Sequence, residues 1–437
     1  MYKFFYFILF FFASNTENKA QNLYFPPNIS SNWDTLSASS LGWCTNKIPQ
    51  LYNYLDSTNS KAFILLKDGK IVLEKYFDNF TKDSLWYWAS AAKTVTSFLV
   101  GIAQQEGKLK ITDTSSKYLG LGWTNCTAEQ EKKITIRNQL TMTTGLDDNV
   151  ADNHCTLDSC LIYKADAGTR WAYHNAPYTL LDKVLQNATG QFLNTLYINK
   201  LRNSIGMNGG FFPMDYDNLL ITTPRSMARF GLLILNKGNW NGNQILTDTA
   251  YFNQMTNTSQ NINLSYGYLW WLNGKNSCMV PESQLVFPFS ISPDGPADMI
   301  AALGKNGQII NVVPSQNLVF IRMGDMPGTG DVPFTLTNEI WKRLNQVICN
   351  TGINETKEGY GLKIFPNPAN GKITIEINEA EQKNVHFELY TINGLKVAEQ
   401  IFNEKQNIID ISRFAKGLYF VKVKSLKGIY IEKLLIN

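Results

Sequence analysis

The stretch that decides the fold lies at residues 88–103 and reads WASAAKTVTSFLVGIA. Its apolar residues follow the i, i+3, i+4, i+7, i+8 spacing of a helix that buries one face, and they are Val95, Phe98, Leu99, Ile102 and Ala103. Gly107 is placed to end this helix just past its last turn. The spacing therefore predicts a helix with one buried face that begins near Ser90.

Ser90 and Lys93 lie three positions apart at the start of this helix, so their side chains share one face. A serine hydroxyl becomes a nucleophile when a base removes its proton. A lysine amine one turn away can be that base once burial or a second cation favours its neutral form. The first helical turn also offers free backbone N–H groups to an oxyanion. Because the four-residue pattern is common, its chemistry depends on what else the chain contains.

The composition describes a globular protein that is neither disordered nor embedded in a membrane. The chain has 437 residues, 44% of them hydrophobic and 17% charged, which leaves room for more than one domain. A net charge of +4 gives no reason to expect a nucleic-acid partner. An apolar run behind Lys3 and a polar stretch up to Ala20 predict a secretory signal peptide over residues 1–20. This run, like every later one, is shorter than the roughly 20 apolar residues of a membrane span.

Six cysteines fit an oxidising compartment and could pair fully, and they are Cys44, Cys126, Cys155, Cys160, Cys278 and Cys349. Cys155 and Cys160 are the easiest to join, whereas the other pairings stay open. With three histidines and no Cys-x-x-Cys pattern, we expect neither a metal site nor another cofactor.

Strands at both ends of the first 350 residues, with helices between them, predict an α+β domain. A hairpin around Asp68 and Gly69 is followed by the Ser90 helix. The later predicted elements are a short helix at 134–146, a long surface loop at 147–170, helices at 176–188 and 224–236, and strands at 309–313 and 318–323.

The composition changes near residue 350, which sets the predicted domain boundaries. Residues 351–362 lack an apolar period and are interpreted as a linker. Beyond it, short alternating segments and an Asn393-Gly394 turn predict a small all-β sandwich over 363–437. The domain before the linker then covers 21–350.

Three motifs occur in order along the first domain: Ser90-x-x-Lys93, Tyr173-x-Asn175, and Lys305-Asn306-Gly307 leading into a strand. The neighbouring sequences Thr143-Thr144-Gly145 and Tyr266-Gly267-Tyr268 accompany them. Together they resemble the serine β-lactamase and penicillin-binding-protein superfamily, especially its class C-like esterases and DD-peptidases. The resemblance implies the β-lactamase/transpeptidase-like fold, an antiparallel sheet packed with helices.

The resemblance also implies a role for each motif residue. Ser90 would be the acylated nucleophile, with Lys93 and Tyr173 sharing the work of the base. Asn175 would hold the Lys93 ammonium and bind substrate, and Lys305 would supply a positive field. The remaining implied positions are the oxyanion hole, formed by the backbone N–H groups of Ser90 and Gln308, and substrate binding by Asn306 and Gly307. His174 is interpreted as a bystander at the rim of the cleft.

One position departs from the family pattern. β-Lactamases and DD-peptidases usually carry Thr or Ser where this chain has Asn306. We therefore expect a serine hydrolase of an ester or amide bond, with a D-Ala-D-Ala peptidase or a true β-lactamase as the alternative. The alternative of another class is a non-catalytic sensor or surface binding protein.

The tail carries a second resemblance. Phe365-Pro366-Asn367-Pro368, Gly417-Leu418-Tyr419 and the closing Lys433-Leu434-Leu435 resemble the C-terminal sorting domain of type IX secretion cargo. This implies the export machinery as a partner and a protein that is secreted or held at the cell surface. An ordinary immunoglobulin-like or carbohydrate-binding module is the alternative.

Overall fold

A computed structural model describes residues 23–326, 332–349, 362–377, 385–391, 395–425 and 428–437. The predicted signal peptide, residues 351–361 of the predicted linker and the Asn393-Gly394 turn lie outside these residues. The chain divides into two compact units, Met1–Ile348 and Cys349–Asn437.

The first unit alternates strands and helices. Its strands are β1 (Ser60–Lys67), β2 (Lys70–Tyr76), β3 (Trp86–Tyr87), β4 (Gly210–Met214), β5 (Asp217–Thr222), β6 (Asn239–Trp240), β7 (Asn243–Gln244), β8 (Trp271–Leu272), β9 (Ile300–Gly304), β10 (Gln308–Val313) and β11 (Leu318–Gly324). Its helices are α1 (Ile48–Ser57), α2 (Lys93–Gln105), α3 (Ser116–Leu119), α4 (Ala128–Glu131), α5 (Ile136–Leu140), α6 (Asn175–Thr179), α7 (Leu181–Thr189), α8 (Leu193–Tyr197), α9 (Asn203–Ile205), α10 (Pro224–Leu235), α11 (Thr249–Met255) and α12 (Phe334–Ile348).

The main sheet is antiparallel, has six strands and runs in the order β2-β1-β11-β10-β9-β8. The predicted hairpin opens it, with Asp68 (φ 52°) and Gly69 (φ 81°) both in the left-handed conformation of a tight hairpin turn. Helix α10 packs on one face, where Gly231 lies against the side chains of Ile310 and Val319. Helices cover both faces, so the central strands read as continuous apolar runs.

The other face of the sheet packs on α12. Trp341 contacts Phe320 at 5.5 Å between ring centroids and donates a hydrogen bond to Asn311 (2.9 Å). Asn311 and Phe320 follow Ile310 and Val319 in sequence, and successive side chains of a strand point to opposite faces. The fold is thus α+β with the β-lactamase/transpeptidase-like arrangement that the motifs predicted.

Helix α2 is more deeply buried than its spacing predicted. Every residue from Lys93 to Ala103 is buried, including Thr94, Thr96 and Ser97, so the helix is central rather than buried on one face. Gly107 ends it in the left-handed conformation, as predicted. Ser90 lies outside α2, in a 3-10 turn at Ala89–Ala92 that leads into it.

Two other predicted helices differ in extent. The helix at 134–146 is limited to α5, which begins at a capping box of Thr135 and Asn138 and is followed by Met142 with φ 57°. The helix at 176–188 is two helices, α6 and α7, separated by Leu180. The helix at 224–236 matches α10 closely.

The second unit consists of two small antiparallel sheets. Its strands are β12 (Leu362–Phe365), β13 (Lys372–Ile377), β14 (Val385–Thr391), β15 (Lys396–Phe402), β16 (Gln406–Asp410), β17 (Gly417–Ser425) and β18 (Gly428–Ile436). They form the sheets β12-β13-β16 and β15-β14-β17-β18. Buried side chains from both sheets, among them Ile375, Phe387 and Val421, share one core, which is the arrangement of a small sandwich.

The cysteines pair in part. Cys155 and Cys160 form a disulfide, as the sequence favoured, and Cys44 and Cys349 are also disulfide-bonded. Cys126 and Cys278 carry free thiols, so full pairing of the six was wrong.

Candidate active site

The turn that carries Ser90 is fixed between β5 and β9. Trp88, which is fully buried, donates its ring N–H to Thr222 (2.8 Å) and its backbone N–H to the carbonyl of Leu220 (2.9 Å). On the other side, a Cβ added to Gly304 would lie 2.4 Å from the Trp88 carbonyl oxygen and 3.1 Å from the Ser90 nitrogen. Glycine is therefore required where β9 approaches the turn.

Lys93 donates a hydrogen bond from its Nζ to the Oγ of Ser90 at 2.9 Å. Ser90 is partly buried, whereas Lys93 is only 4% exposed. The 3-10 turn and the first turn of α2 bring the two side chains together across three positions. The predicted nucleophile and base are thus within hydrogen-bond reach of each other.

Two tyrosine rings lie against the amine of Lys93. Its Nζ lies 5.1 Å from the ring centroid of Tyr173 and 4.3 Å from that of Tyr178. Tyr173 is held by stacking on Trp271 at 5.9 Å. Burial raises the pKa of Tyr178 well above its ordinary value, so this ring stays neutral. Sequence reasoning identified Tyr173 but missed Tyr178, which no motif marks.

The third motif forms a tight turn between β9 and β10. Asn306 (φ 62°) and Gly307 (φ 81°) are both left-handed, and Lys305 is exposed at the start of the turn. The side-chain amide of Asn306 donates to the hydroxyl of Tyr87 (2.7 Å). Asparagine tolerates this backbone conformation, whereas a β-branched threonine does not. The residue that departs from the family pattern is thus one that suits the backbone conformation of this turn.

Arg322 stabilises this turn through hydrogen bonds to its backbone, a role that sequence reasoning missed. It is fully buried on β11 and donates to the carbonyls of Asn306 (2.9 Å) and Gly307 (2.8 Å) and to the hydroxyl of Ser60 (2.9 Å). Burial lowers its pKa to about 10, which leaves it charged at neutral pH. The sequence did contain one indication of this role, namely an arginine within an otherwise apolar strand.

Gln308, whose backbone N–H was predicted for the oxyanion hole, starts β10 directly after the turn. Its buried side chain bonds both backbone groups of Gly324, donating at 2.6 Å and accepting at 3.2 Å. Its backbone pairs with Gly304, the residue that lies against the Ser90 nitrogen. The side chain thus anchors the strand end that faces the nucleophile turn.

Asn175 differs from its predicted contact with Lys93. Its side-chain N–H groups face the Oδ1 of Asn153 (2.8 Å) and the Nε2 of His154 (3.1 Å). Its carbonyl oxygen is buried without a hydrogen-bond partner among the described residues, so it does not accept from the Lys93 ammonium. Asn153 and His154 come from the long loop at 147–170, which sequence analysis treated only as a surface loop.

His174 is a core residue, which corrects its placement at the cleft rim. It is 2% exposed, and neither ring nitrogen has a hydrogen-bond partner among the described residues. Burial lowers its pKa from 6.5 to about 4, so it is neutral in the folded protein near neutral pH.

Within the described ranges, we find no group of three or more His, Cys, Asp or Glu side chains that could hold a metal ion. Among the helices of these same residues, none combines the length and the apolar character needed to cross a membrane.

Comparison with known proteins defines the class. The beta-lactamase family matches residues 55–331, which include the Ser90, Tyr173 and Lys305 motifs. The chain therefore belongs to the beta-lactamase family. The secretion system C-terminal sorting domain matches residues 363–437. This confirms the second resemblance and, with it, a protein that is exported to the cell surface or secreted.

Individual relatives are distant. A curated, uncharacterized protein from Alkalihalophilus pseudofirmus is 24% identical over 306 residues, which cover 61% of this chain and 84% of that protein. A Caulobacter crescentus penicillin-binding protein homologue has a TM-score of 0.54 at 12% identity, covering 70% of this chain and 98% of its own. A Bacillus anthracis protein provisionally named a 6-aminohexanoate-dimer hydrolase has a TM-score of 0.55 at 18% identity, covering 73% and 88%. The structural likenesses establish the fold.

Proposed function

We propose that this protein is an exported serine hydrolase that cleaves an ester or amide bond through an acyl-enzyme on Ser90. The observation that carries the proposal is the 2.9 Å contact between the Ser90 hydroxyl and the buried Lys93 amine. Membership of the beta-lactamase family supports the general assignment as a serine hydrolase, because this family contains the serine hydrolases that the three motifs resemble.

In the proposed reaction, Ser90 Oγ attacks the substrate carbonyl carbon while its proton passes to the group formed by Lys93 and Tyr173. The backbone N–H groups of Ser90 and Gln308 would stabilise the tetrahedral oxyanion. The leaving group takes the proton as its bond to the carbonyl carbon breaks. A water molecule then attacks the acyl carbon and gives a proton to the same base, which returns it to Ser90 Oγ as the bond between Oγ and the acyl carbon breaks.

The third motif favours an ester or amide over a β-lactam. At its second position a threonine or serine hydroxyl usually helps to bind the carboxylate of a β-lactam or peptide. Here that position holds Asn306, whose amide is engaged by Tyr87. Lys305 would still supply a positive charge near a substrate carboxylate, so a D-Ala-D-Ala peptidase or a β-lactamase proper is the second candidate.

The test is turnover of a short-chain aryl ester, a D-Ala-D-Ala peptide and nitrocefin by the wild type and Ser90→Ala. We expect the ester to be turned over fastest and Ser90→Ala to lose activity by orders of magnitude, because the hydroxyl that would form the acyl-enzyme is removed. Ser97→Ala is the matched control, since Ser97 lies on the same central helix but bonds toward Tyr251.

Mass spectrometry after mixing with the ester should detect an acyl adduct on Ser90 that is released with time. Residual activity of Ser90→Ala within tenfold of the wild type would overturn the nucleophile assignment. An adduct that is never released, or never forms, would favour the non-catalytic sensor or surface binding protein. Faster turnover of nitrocefin than of the ester would favour a β-lactamase.

A further inference from the structure

We propose that His154, oriented by Asp217, is a positioning residue that fixes the side-chain amide of Asn175 in the active site. The inference rests on the proposed acyl-enzyme function and extends it to residues that orient an active-site side chain. It concerns residues outside the three motifs, namely His154 and Asn153 in the long loop and Asp217 at the start of β5.

Asp217 determines which nitrogen of His154 carries the proton. Its Oδ2 lies 2.6 Å from His154 Nδ1, while its Oδ1 accepts from the hydroxyl of Thr179 at 2.9 Å. Burial acts to raise the pKa of Asp217, but hydrogen bonds from His154 and Thr179 help to lower it below its ordinary value. An ionised Asp217 can only accept, so Nδ1 carries the proton. In the neutral ring, Nε2 then has a free lone pair.

The Nε2 lone pair and Asn153 together account for both side-chain N–H groups of Asn175. Asn153 Oδ1 accepts one of them at 2.8 Å and also the backbone N–H of Asn175 at 2.8 Å. Because Asn153 donates its own amide to the carbonyl of Asp148 (3.1 Å), its orientation is fixed. The Asn175 carbonyl oxygen must then point away from both neighbours. It is buried without a hydrogen-bond partner among the described residues, so Asn153 and His154 determine its direction. Asn175 begins α6 and lies between Tyr173 and Tyr178, whose rings lie against Lys93 Nζ, so fixing its amide also fixes this segment.

A proton on Nε2 instead of Nδ1 would break this arrangement. The Nε2–H would face the N–H groups of Asn175, and flipping the amide would place its oxygen against Asn153 Oδ1. Neither orientation satisfies both neighbours, so a proton on Nε2 disorders the Asn175 amide. The charged or titratable groups near His154 are Asp217, Asp152, which bonds its backbone N–H, and the neutral His174. The Cys155–Cys160 disulfide directly after His154 closes its loop.

The first test is Asp217→Asn. Because the Thr179 hydroxyl donates to Oδ1 of Asp217, the amide oxygen of the new asparagine should take that position. The amide NH₂ then lies against His154 Nδ1. The proton then moves to Nε2 and opposes the Asn175 amide. We expect kcat for the ester to fall about tenfold, the loss of one buried hydrogen bond, with little change in KM. Asp298→Asn is the matched control, since Asp298 accepts hydrogen bonds from Ser315 before the start of β9, away from the motifs.

The second test compares the kcat and KM of His154→Gln, His154→Leu and His386→Gln with those of the wild type. Glutamine can accept a hydrogen bond from Asn175 whereas leucine cannot, so His154→Gln should lose less kcat than His154→Leu. His386 lies exposed on β14, and His386→Gln should leave kcat unchanged.

The two proposals fail differently. If Ser90→Ala is as active as the wild type, the proposed function is wrong. If Ser90 is acylated and deacylated normally but Asp217→Asn keeps its kcat, or His154→Leu loses no more kcat than His154→Gln, only the positioning role is wrong. Should Asp217→Asn fail to fold, the comparison of His154→Gln with His154→Leu decides the matter alone.

Discussion

At the scale of single residues, two buried groups beside the active site oppose each other in the pH dependence of stability. The pKa of His174 falls from 6.5 to about 4 on burial, so in this range the unfolded chain binds more protons and stability drops as the pH is lowered. The pKa of Asp182 rises from 3.8 to about 7 through burial, so the folded chain binds more protons and stability drops as the pH is raised.

Each effect amounts to about 3–4 kcal/mol over its full range, since one pKa unit corresponds to about 1.4 kcal/mol. Because the ranges overlap, the two contributions largely cancel in the wild type between about pH 4 and 6.5.

Single substitutions should reveal these opposed slopes. Without the titration of His174, His174→Leu should become less stable as the pH rises from about 4 to 7, because the Asp182 contribution is no longer offset. Asp182→Asn should show the opposite slope, because only His174 then titrates. Denaturant unfolding at several pH values measures both. If both variants follow the wild-type curve, the two groups do not control stability in this range.

At the scale of elements, local patterns predicted the parts of the site that the chain brings together over short distances. Ser90 and Lys93 share a face because they are three residues apart, and Asp68-Gly69 folds its hairpin through two left-handed residues. The contact between His154 and Asp217 joins residues 63 positions apart in the chain. Arg322 on β11 donates to the turn of the third motif, which precedes the neighbouring strand β10. No local period encodes such pairs, so sequence analysis missed them. The hydrogen bonds that orient Asn175 depend on the same distant loop.

The close approach of β9 to the nucleophile turn yields a prediction at this scale. Gly304→Ala places a methyl group 2.4 Å from the Trp88 carbonyl oxygen, and backbone atoms cannot turn aside as a side chain can. The turn must shift, and displacing a reacting group by about 1 Å can cost about 100-fold in rate. We expect kcat to fall by at least tenfold in a steady-state ester assay.

Gly231→Ala is the control for crowding alone. Its added methyl meets the side chains of Val319 (2.6 Å) and Ile310 (3.1 Å) beneath α10, away from Ser90. We expect Gly231→Ala to lower the free energy of unfolding by about 1–3 kcal/mol while kcat stays near that of the wild type. An equal loss of kcat in both variants would mean that the effect of Gly304→Ala comes from stability and not from the nucleophile turn.

At the scale of the whole molecule, each unit contains the hydrophobic core that an independent domain requires. The first core draws on the main sheet and helices α2, α10 and α12, and the second on the two small sheets. The sequence anticipated this division because the apolar pattern stops near residue 350 and resumes as short alternating segments. It could not establish which cysteines remain free, since pairing depends on distances that only the fold fixes.

Truncation after Asn350 should therefore separate catalysis from export. The shortened chain keeps every motif residue. It also keeps Cys44 and Cys349, the two disulfide-bonded cysteines other than Cys155 and Cys160. We expect it to fold cooperatively and to match the kcat of the full chain, because its core is complete. Produced in a bacterium with a type IX system, it should stay inside the outer membrane, since residues 363–437 form the sorting domain. Full-length Ser90→Ala is the matched control and should reach the exterior without activity. Normal export of the truncated chain would show that the tail does not direct sorting, whereas loss of its folding would show that the first unit depends on the second.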